Sequence, residues 1–260
     1  MRIARFSQNG STSFGVVEGP GADPADLVVA AIHGHPFGRF TFSGERFPLS
    51  AVRLLAPVLP SKVVCIGKNY ADHVAEMGGP APADPVTFLK PSTSVIGPGD
   101  AIALPALSNH VDHEAELAVV IGGIVRRVPV ERALDAVLGY TCANDVTARD
   151  LQRSDGQWAR AKGFDTFCPL GPWIETELDP SALALECRVN GELRQAGSTR
   201  DLLRGVAELI AYASAVMTLL PGDVLLTGTP AGVGPIKAGD QVDVTIEGIG
   251  TLSNEVVDRD

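Results

Sequence analysis

Cysteine is scarce: the 260 residues contain four, Cys65, Cys142, Cys168 and Cys187, and no two of them form a C-x-x-C pair. They sit in apolar contexts such as Val63-Val64-Cys65-Ile66 and read as reduced, buried small hydrophobes of a cytoplasmic protein, which excludes a disulfide framework or a cysteine zinc site. Positive charge is also short. The chain has 21 Lys+Arg against 31 Asp+Glu, a formal charge of −10, and its basic residues form no cluster. A nucleic-acid or anionic membrane partner would require such a cluster to displace counterions, so neither is expected. Long hydrophobic runs are missing too, because the apolar stretch at residues 117–125 is far below the roughly 18 residues of a membrane span. The first ten residues turn polar before a signal-peptide apolar region could form. Finally, the chain carries neither the Gly-Lys-Ser/Thr of a P-loop nor G-x-G-x-x-G.

What is present is ordinary globular composition, 45% hydrophobic and 20% charged, in a length that allows one large domain or a small one beside a larger one. The 28 glycines and 19 prolines punctuate it heavily. Gly-Asp precedes a strand-like run three times, at Gly99-Asp100, Gly222-Asp223 and Gly239-Asp240. Each reads as a turn feeding a strand, and Val242, Val244 and Ile246 alternate with Asp243 and Thr245 as in a half-buried strand. The second half is therefore rich in β-structure. Apolar spacing predicts a helix over 201–220, stopped by Pro221-Gly222, and a shorter one over 130–137. A third is predicted to start at Thr147, with Thr147 and Asp150 at capping-box spacing. Residues 78–85, rich in Gly and Pro, read as a mobile connector. Residues 1–60 show weaker strand patterns than the remainder, 61–260.

The segment His113-Glu114-Ala115-Glu116-Leu117 carries the clearest chemical signal. Residues two apart in a strand share a face, so Glu114 and Glu116 project side by side about 7 Å apart. On a buried face two like carboxylates cost several kcal/mol without a cation, roughly as a buried ion does when it lacks a partner. A hard divalent ion resolves this; an exposed pair at a strand end is the alternative. Asp145, in Asn144-Asp145-Val146-Thr147, stands at the carboxyl end of an apolar strand as a third oxygen ligand, or merely completes the turn. Three carboxylates without Cys or His select Mg²⁺ or Mn²⁺ over Zn²⁺. His73 and Glu76, three apart, meet on one helix face, either as a general base held by its carboxylate or as a surface pair. The connector after them suits a lid. The loop Thr227-Gly228-Thr229-Pro230-Ala231-Gly232-Val233-Gly234 presents N–H groups and hydroxyls to a carboxylate, or is a plain turn. His33, His35, His110 and His113 lack partners at zinc spacing and read as structural.

Together, Ile66-Gly67-Lys68-Asn69-Tyr70-Ala71-Asp72-His73, Phe88-Leu89-Lys90-Pro91-Ser92, His113-Glu114-Ala115-Glu116-Leu117, the Asn144-to-Gln152 segment, Ala161-Lys162-Gly163-Phe164-Asp165 and the 226–234 loop resemble, in that order, the fumarylacetoacetate hydrolase family. The likeness spans roughly residues 63–255 and is to the short branch of acylpyruvate hydrolases, oxaloacetate decarboxylases and hydroxyheptadienedioate isomerases; the chain is too short for the full fumarylacetoacetase arrangement. The resemblance implies a mixed α/β, β-rich sandwich roll over 61–260 as the catalytic domain, usually dimeric and preceded by a small N-terminal β region over 1–60. It implies Mg²⁺, with Mn²⁺ as the alternative, on Glu114, Glu116 and Asp145. Lys162 and Thr229 would reach the substrate or its developing enolate, Arg149, Gln152 and Tyr70 would bind substrate, and His73 with Glu76 would activate water.

That chemistry suits a 2-oxo acid, which chelates the ion through its carboxylate and keto oxygens; cleavage of the C3–C4 bond then leaves an enolate. The expected activity is C–C hydrolysis of a small 2-oxo or enol dicarbonyl acid, acylpyruvate-type. The alternatives are 2-hydroxyhepta-2,4-diene-1,7-dioate isomerisation and decarboxylation of oxaloacetate or 5-oxopent-3-ene-1,2,5-tricarboxylate in aromatic catabolism. A non-catalytic 2-oxo-acid binding protein is the alternative of another class.

Overall fold

The computed structural model describes residues 1–20, 24–78 and 80–258. Its centre is the strand Ala115–Ile121, buried at every position. Leu117, Val119 and Ile121 point to one face and join Leu185, Cys187, Val244 and Leu252 in the larger apolar core. Ala118 and Val120 point to the other and pack with Val63, Cys65, Leu170 and Leu226. A strand covered on both sides has no polar alternation to show, which is why this run reads as continuously apolar. Each fully buried Val or Leu contributes about 1.5–3 kcal/mol, so this strand anchors the core.

The strand lies in a twelve-stranded sheet, between Val137–Asn144 and Val224–Leu226. Beyond Val224–Leu226 come Val63–Gly67, in parallel, and Val86–Lys90. Beyond Val137–Asn144 come Cys168–Glu175 and then the first strand, Arg2–Gln8, paired through Arg2 with Glu175 and Ile3 with Ile174. Ser11–Glu18, Val28–Gly34 and Phe40–Pro48 continue that end of the sheet. Five strands, in the order Glu192–Ser198, Ala184–Val189, Gln241–Ile246, Gly250–Asp258 and Ile102–Leu104, form a second sheet sharing the larger core. A small sheet joins Thr147–Ala148, Val111–His113 and Gly234–Pro235. The three Gly-Asp turns do lead into the strands Ile102–Leu104, Val224–Leu226 and Gln241–Ile246. The fold is the β-rich mixed sandwich that the sequence leads one to expect.

The helices are shorter than their apolar spacing suggests. Of 201–220, only Val206–Val216 is α-helical, and Asp201 ends the 3-10 turn Thr199–Asp201. Residues 203 and 204 are held out of the helix by Asn69, whose carbonyl accepts from Leu203 N at 2.8 Å and whose Oδ1 accepts from Arg204 N at 3.0 Å, and Leu219 bridges to Val125. Val130–Ala136 is a 3-10 helix. The helix expected to begin at Thr147 is Arg149–Asp155, and no capping box forms. Thr147 Oγ1 donates instead to Asp145 O at 2.8 Å, and Asp150 accepts from Ser108 Oγ at 2.6 Å and Asn109 N at 3.0 Å. At residues 203–204 and at Asp150 a tertiary hydrogen bond outcompetes local propensity. Of the 78–85 connector, Gly79 lies outside the described residues. Among the described residues no helix is long and apolar enough to cross a membrane, and the four cysteines are free and buried.

Candidate active site

Strand pairing assembles the site. Asp145, just past Val137–Asn144, donates its N–H to Glu114 O at 2.8 Å, while Glu114 N donates to Asn144 Oδ1 at 2.9 Å. This clamp sets Asp145 beside Glu114 and Glu116, and carboxylate oxygens of the three lie within 4.8 Å of one another, all buried.

Cations cover two of the three. Lys162 Nζ stands 2.7 Å from both Glu114 Oε2 and Asp145 Oδ2. Arg149 reaches Glu114 Oε1 at 2.7 Å and Asp112 Oδ2 at 2.8 Å, and donates to Gln152 Oε1 at 2.7 Å. Lys90, fully buried, meets Asp145 Oδ1 at 2.5 Å. Burial alone would raise the Glu114 carboxyl, but Lys162 and Arg149 outweigh it and hold it well below the usual carboxylate range. Burial likewise works against the Lys162 ammonium, and Asp145 and Glu114 more than offset it. Glu116 has no ion pair among the described residues; Gly228 N donates to its Oε2 at 2.6 Å. Burial, with Asp145 and Glu114 beside it, pushes its carboxyl well above the ordinary value. An all-oxygen donor set containing a buried carboxylate that lacks a counter-charge fits a hard divalent cation such as Mg²⁺ or Mn²⁺.

His73 lies 6% exposed in the helix Ala71–Met77, its Nδ1 3.1 Å from Glu76 Oε2. Glu76 Oε1 in turn accepts from Gly232 N at 3.0 Å, which seats the helix on the 227–234 loop. With Nδ1 occupied, Nε2 is the nitrogen free for proton transfer. His73, Glu114, Glu116, Asp145, Arg149, Gln152, Lys162 and Thr229 all line one cavity of about 190 Å³, along with Lys68, Arg153 and Trp158. Glu76 supports His73 without lining the cavity, and Tyr70, buried at the start of that helix, is not among the residues lining it.

The 227–234 loop differs from expectation. Its N–H groups at Gly228, Ala231 and Gly232 donate to Glu116, Asp72 and Glu76, so the chain's own carboxylates use them. Gly228 itself, at φ +103°, is required there, because a Cβ would sit 2.8 Å from that of Asn69. Lys90 and Gln195 were not singled out from sequence. Lys90 carried a visible sign, a lysine ending an apolar strand; Gln195 carried none, since it arrives from the five-stranded sheet.

Known proteins resemble the whole chain. The family model "Fumarylacetoacetate (FAA) hydrolase C-terminal" matches residues 62–257, and "Rv2993c-like, N-terminal" matches residues 1–57. A crystal structure of 2-hydroxyhepta-2,4-diene-1,7-dioate isomerase from Mycobacterium marinum superimposes with TM-score 0.94 at 52% identity, covering 100% of this chain and 99% of that one. The human mitochondrial oxaloacetate tautomerase FAHD2A is 47% identical over 223 residues, 81% of this chain and 71% of the relative. Maleylpyruvate hydrolase from Sphingobium sp. SYK-6, solved with manganese(II) and pyruvate, is 34% identical with TM-score 0.81 and full coverage of both chains. The chain is therefore an enzyme of the fumarylacetoacetate hydrolase family.

Proposed function

We propose that the chain is a divalent-cation-dependent enzyme of small 2-oxo dicarbonyl acids in which His73 moves the proton. The observation that carries this is one cavity holding the buried carboxylate trio and a histidine whose Nδ1 is held by Glu76. Glu114, Glu116 and Asp145 would hold Mg²⁺ or Mn²⁺, as the manganese in the Sphingobium hydrolase supports. Once bound, the ion would polarise the acid's oxygens and offset negative charge developing on them.

The remaining roles belong to side chains. Lys68 and Arg153 line the cavity and, among the described residues, their side chains make no hydrogen bond or ion pair. In a chain of net charge −10, two uncommitted cations at the cavity draw in an anionic substrate against the overall field. Trp158 walls the apolar side, stacked edge-on to Phe88 at 5.3 Å. Glu76 holds His73 in one tautomer, and His73 Nε2 takes a proton either from water or from the carbon beside the carbonyl. The first leads to C–C hydrolysis, the second to tautomerisation or isomerisation. The names of the isomerase at 52% and the tautomerase at 47%, against hydrolases at 42% and 34%, favour proton transfer at carbon, with hydrolysis as the second reading, open to the same base.

The test is turnover by chelator-stripped protein, with and without Mg²⁺ or Mn²⁺, on acylpyruvates, oxaloacetate and a hydroxydienedioate, following enol absorbance and pyruvate release together. Metal-dependent absorbance change without pyruvate is expected. Pyruvate release would install hydrolysis or decarboxylation instead, and no change with any substrate would leave a non-catalytic binder of 2-oxo acids.

A further inference from the structure

The hydrogens around Thr229 are assigned by groups that can bond in only one direction. Gln195 is 1% exposed and spans the gap between the Glu114–Glu116 segment and the 227–234 loop. One end of its amide faces Ala115 N at 3.0 Å, a backbone N–H that only donates, so that end must be Oε1. The other end faces Pro230 O at 2.9 Å, a carbonyl that only accepts, so that end must be Nε2. The amide therefore has one orientation, and Nε2 donates its second hydrogen to Thr229 Oγ1 at 2.7 Å.

The threonine hydroxyl has one hydrogen and two lone pairs. Its hydrogen goes to Ala115 O at 2.8 Å, and one lone pair receives Gln195. What remains for the cavity that Thr229 lines is a single lone pair.

We infer that Thr229 is an obligate acceptor toward the ligand, set that way by Gln195, and that this hydroxyl favours binding of the protonated enol, the 2-hydroxy form, over the keto form. This rests on the acid-binding reading of the cavity and refines it. An enolate or carboxylate oxygen carries no hydrogen and gains nothing from such a hydroxyl, whereas an enol O–H completes it. Thr229 thus differs from Lys162 and Arg149, which only donate. Gln195, which touches no part of the cavity, is a positioning residue.

The experiment compares calorimetric affinities of the Mn²⁺-loaded protein for lactate, which bears the 2-hydroxyl, and pyruvate, which bears the 2-oxo group. Thr229→Val, nearly isosteric, should weaken lactate about fivefold, one ordinary hydrogen bond, and pyruvate less than about twofold. Thr229→Ser should restore the lactate affinity to within about twofold of the parent. Thr229→Ala makes the same deletion should the valine variant fail to fold by circular dichroism. An equal or larger loss for pyruvate would overturn the inference while leaving the acid site standing. Failure of the parent protein to bind either acid would remove the acid site itself, and the inference with it.

Discussion

Glu116 is the residue on which the cation reading turns, because it alone of the three carboxylates has no basic partner among the described residues. Replacing it with Ala should lower Mn²⁺ affinity by at least about a hundredfold, of the order expected when a hard ion loses one anionic ligand of three. The same change relieves a crowded buried charge, so the denaturation midpoint of metal-free protein should hold or rise. Titration calorimetry that finds unchanged affinity would remove Glu116 from the ligand set. Most of this site was legible in sequence: the Glu-x-Glu spacing, the Asn-Asp at a strand end and the His-x-x-Glu each stand within single elements. Gln195 was not, because its partners lie 34 and 80 residues away, and the visible sign at Lys90 takes its meaning only from Asp145, 55 residues on.

At the scale of elements, local pattern placed strands better than helices. The Gly-Asp turns led where they pointed because turn chemistry is set within a few residues. Apolar spacing overstates the 201–220 helix because Asn69, 135 residues away, claims the Arg204 backbone at both its N–H and carbonyl ends. One such turn joins two elements through a carboxylate. Asp223, before Val224–Leu226, accepts from Ser61 Oγ at 2.6 Å and Leu220 N at 2.8 Å and pairs with Lys62, tying the start of Val63–Gly67 to the turn. Burial works to raise its carboxyl, but Lys62 and the hydrogen bonds from Ser61 and Leu220 outweigh that and depress it. A depressed folded value means stability present above the unfolded value near 4 and lost as pH falls through the folded one. Asp223→Asn should therefore cost about 1–3 kcal/mol at neutral pH. That gap should close progressively below about pH 4. Urea denaturation of both proteins at pH 7 and pH 3 reads it directly, and a gap undiminished at the lower pH would show that charge is not the cause.

At the scale of the molecule, two sheets share one large core, and the site sits where the strands Ala115–Ile121, Val137–Asn144 and Val63–Gly67 end against the 227–234 loop. We propose that the chain also pairs with a second copy of itself. Ile124 (75% exposed) and Val216 (63%) stand with Val130 and Leu134 on adjoining segments around the Val125–Leu219 bridge, an apolar exposure that a dimer would cover. Sedimentation should give twice the 27.2 kDa chain mass, and Ile124→Glu should shift it toward the single chain; a monomer at all micromolar concentrations would end that reading.

By itself the sequence determined a β-rich enzyme, its carboxylate trio and its His73–Glu76 pair. These depend on spacing within a strand or one helical turn, where covalent geometry carries the information. Only the tertiary structure decided which charges meet, which helix ends are unwound and which way the hydrogen on Thr229 points. Those are outcomes of competition among groups far apart in the chain, each forced to find a partner once water is excluded.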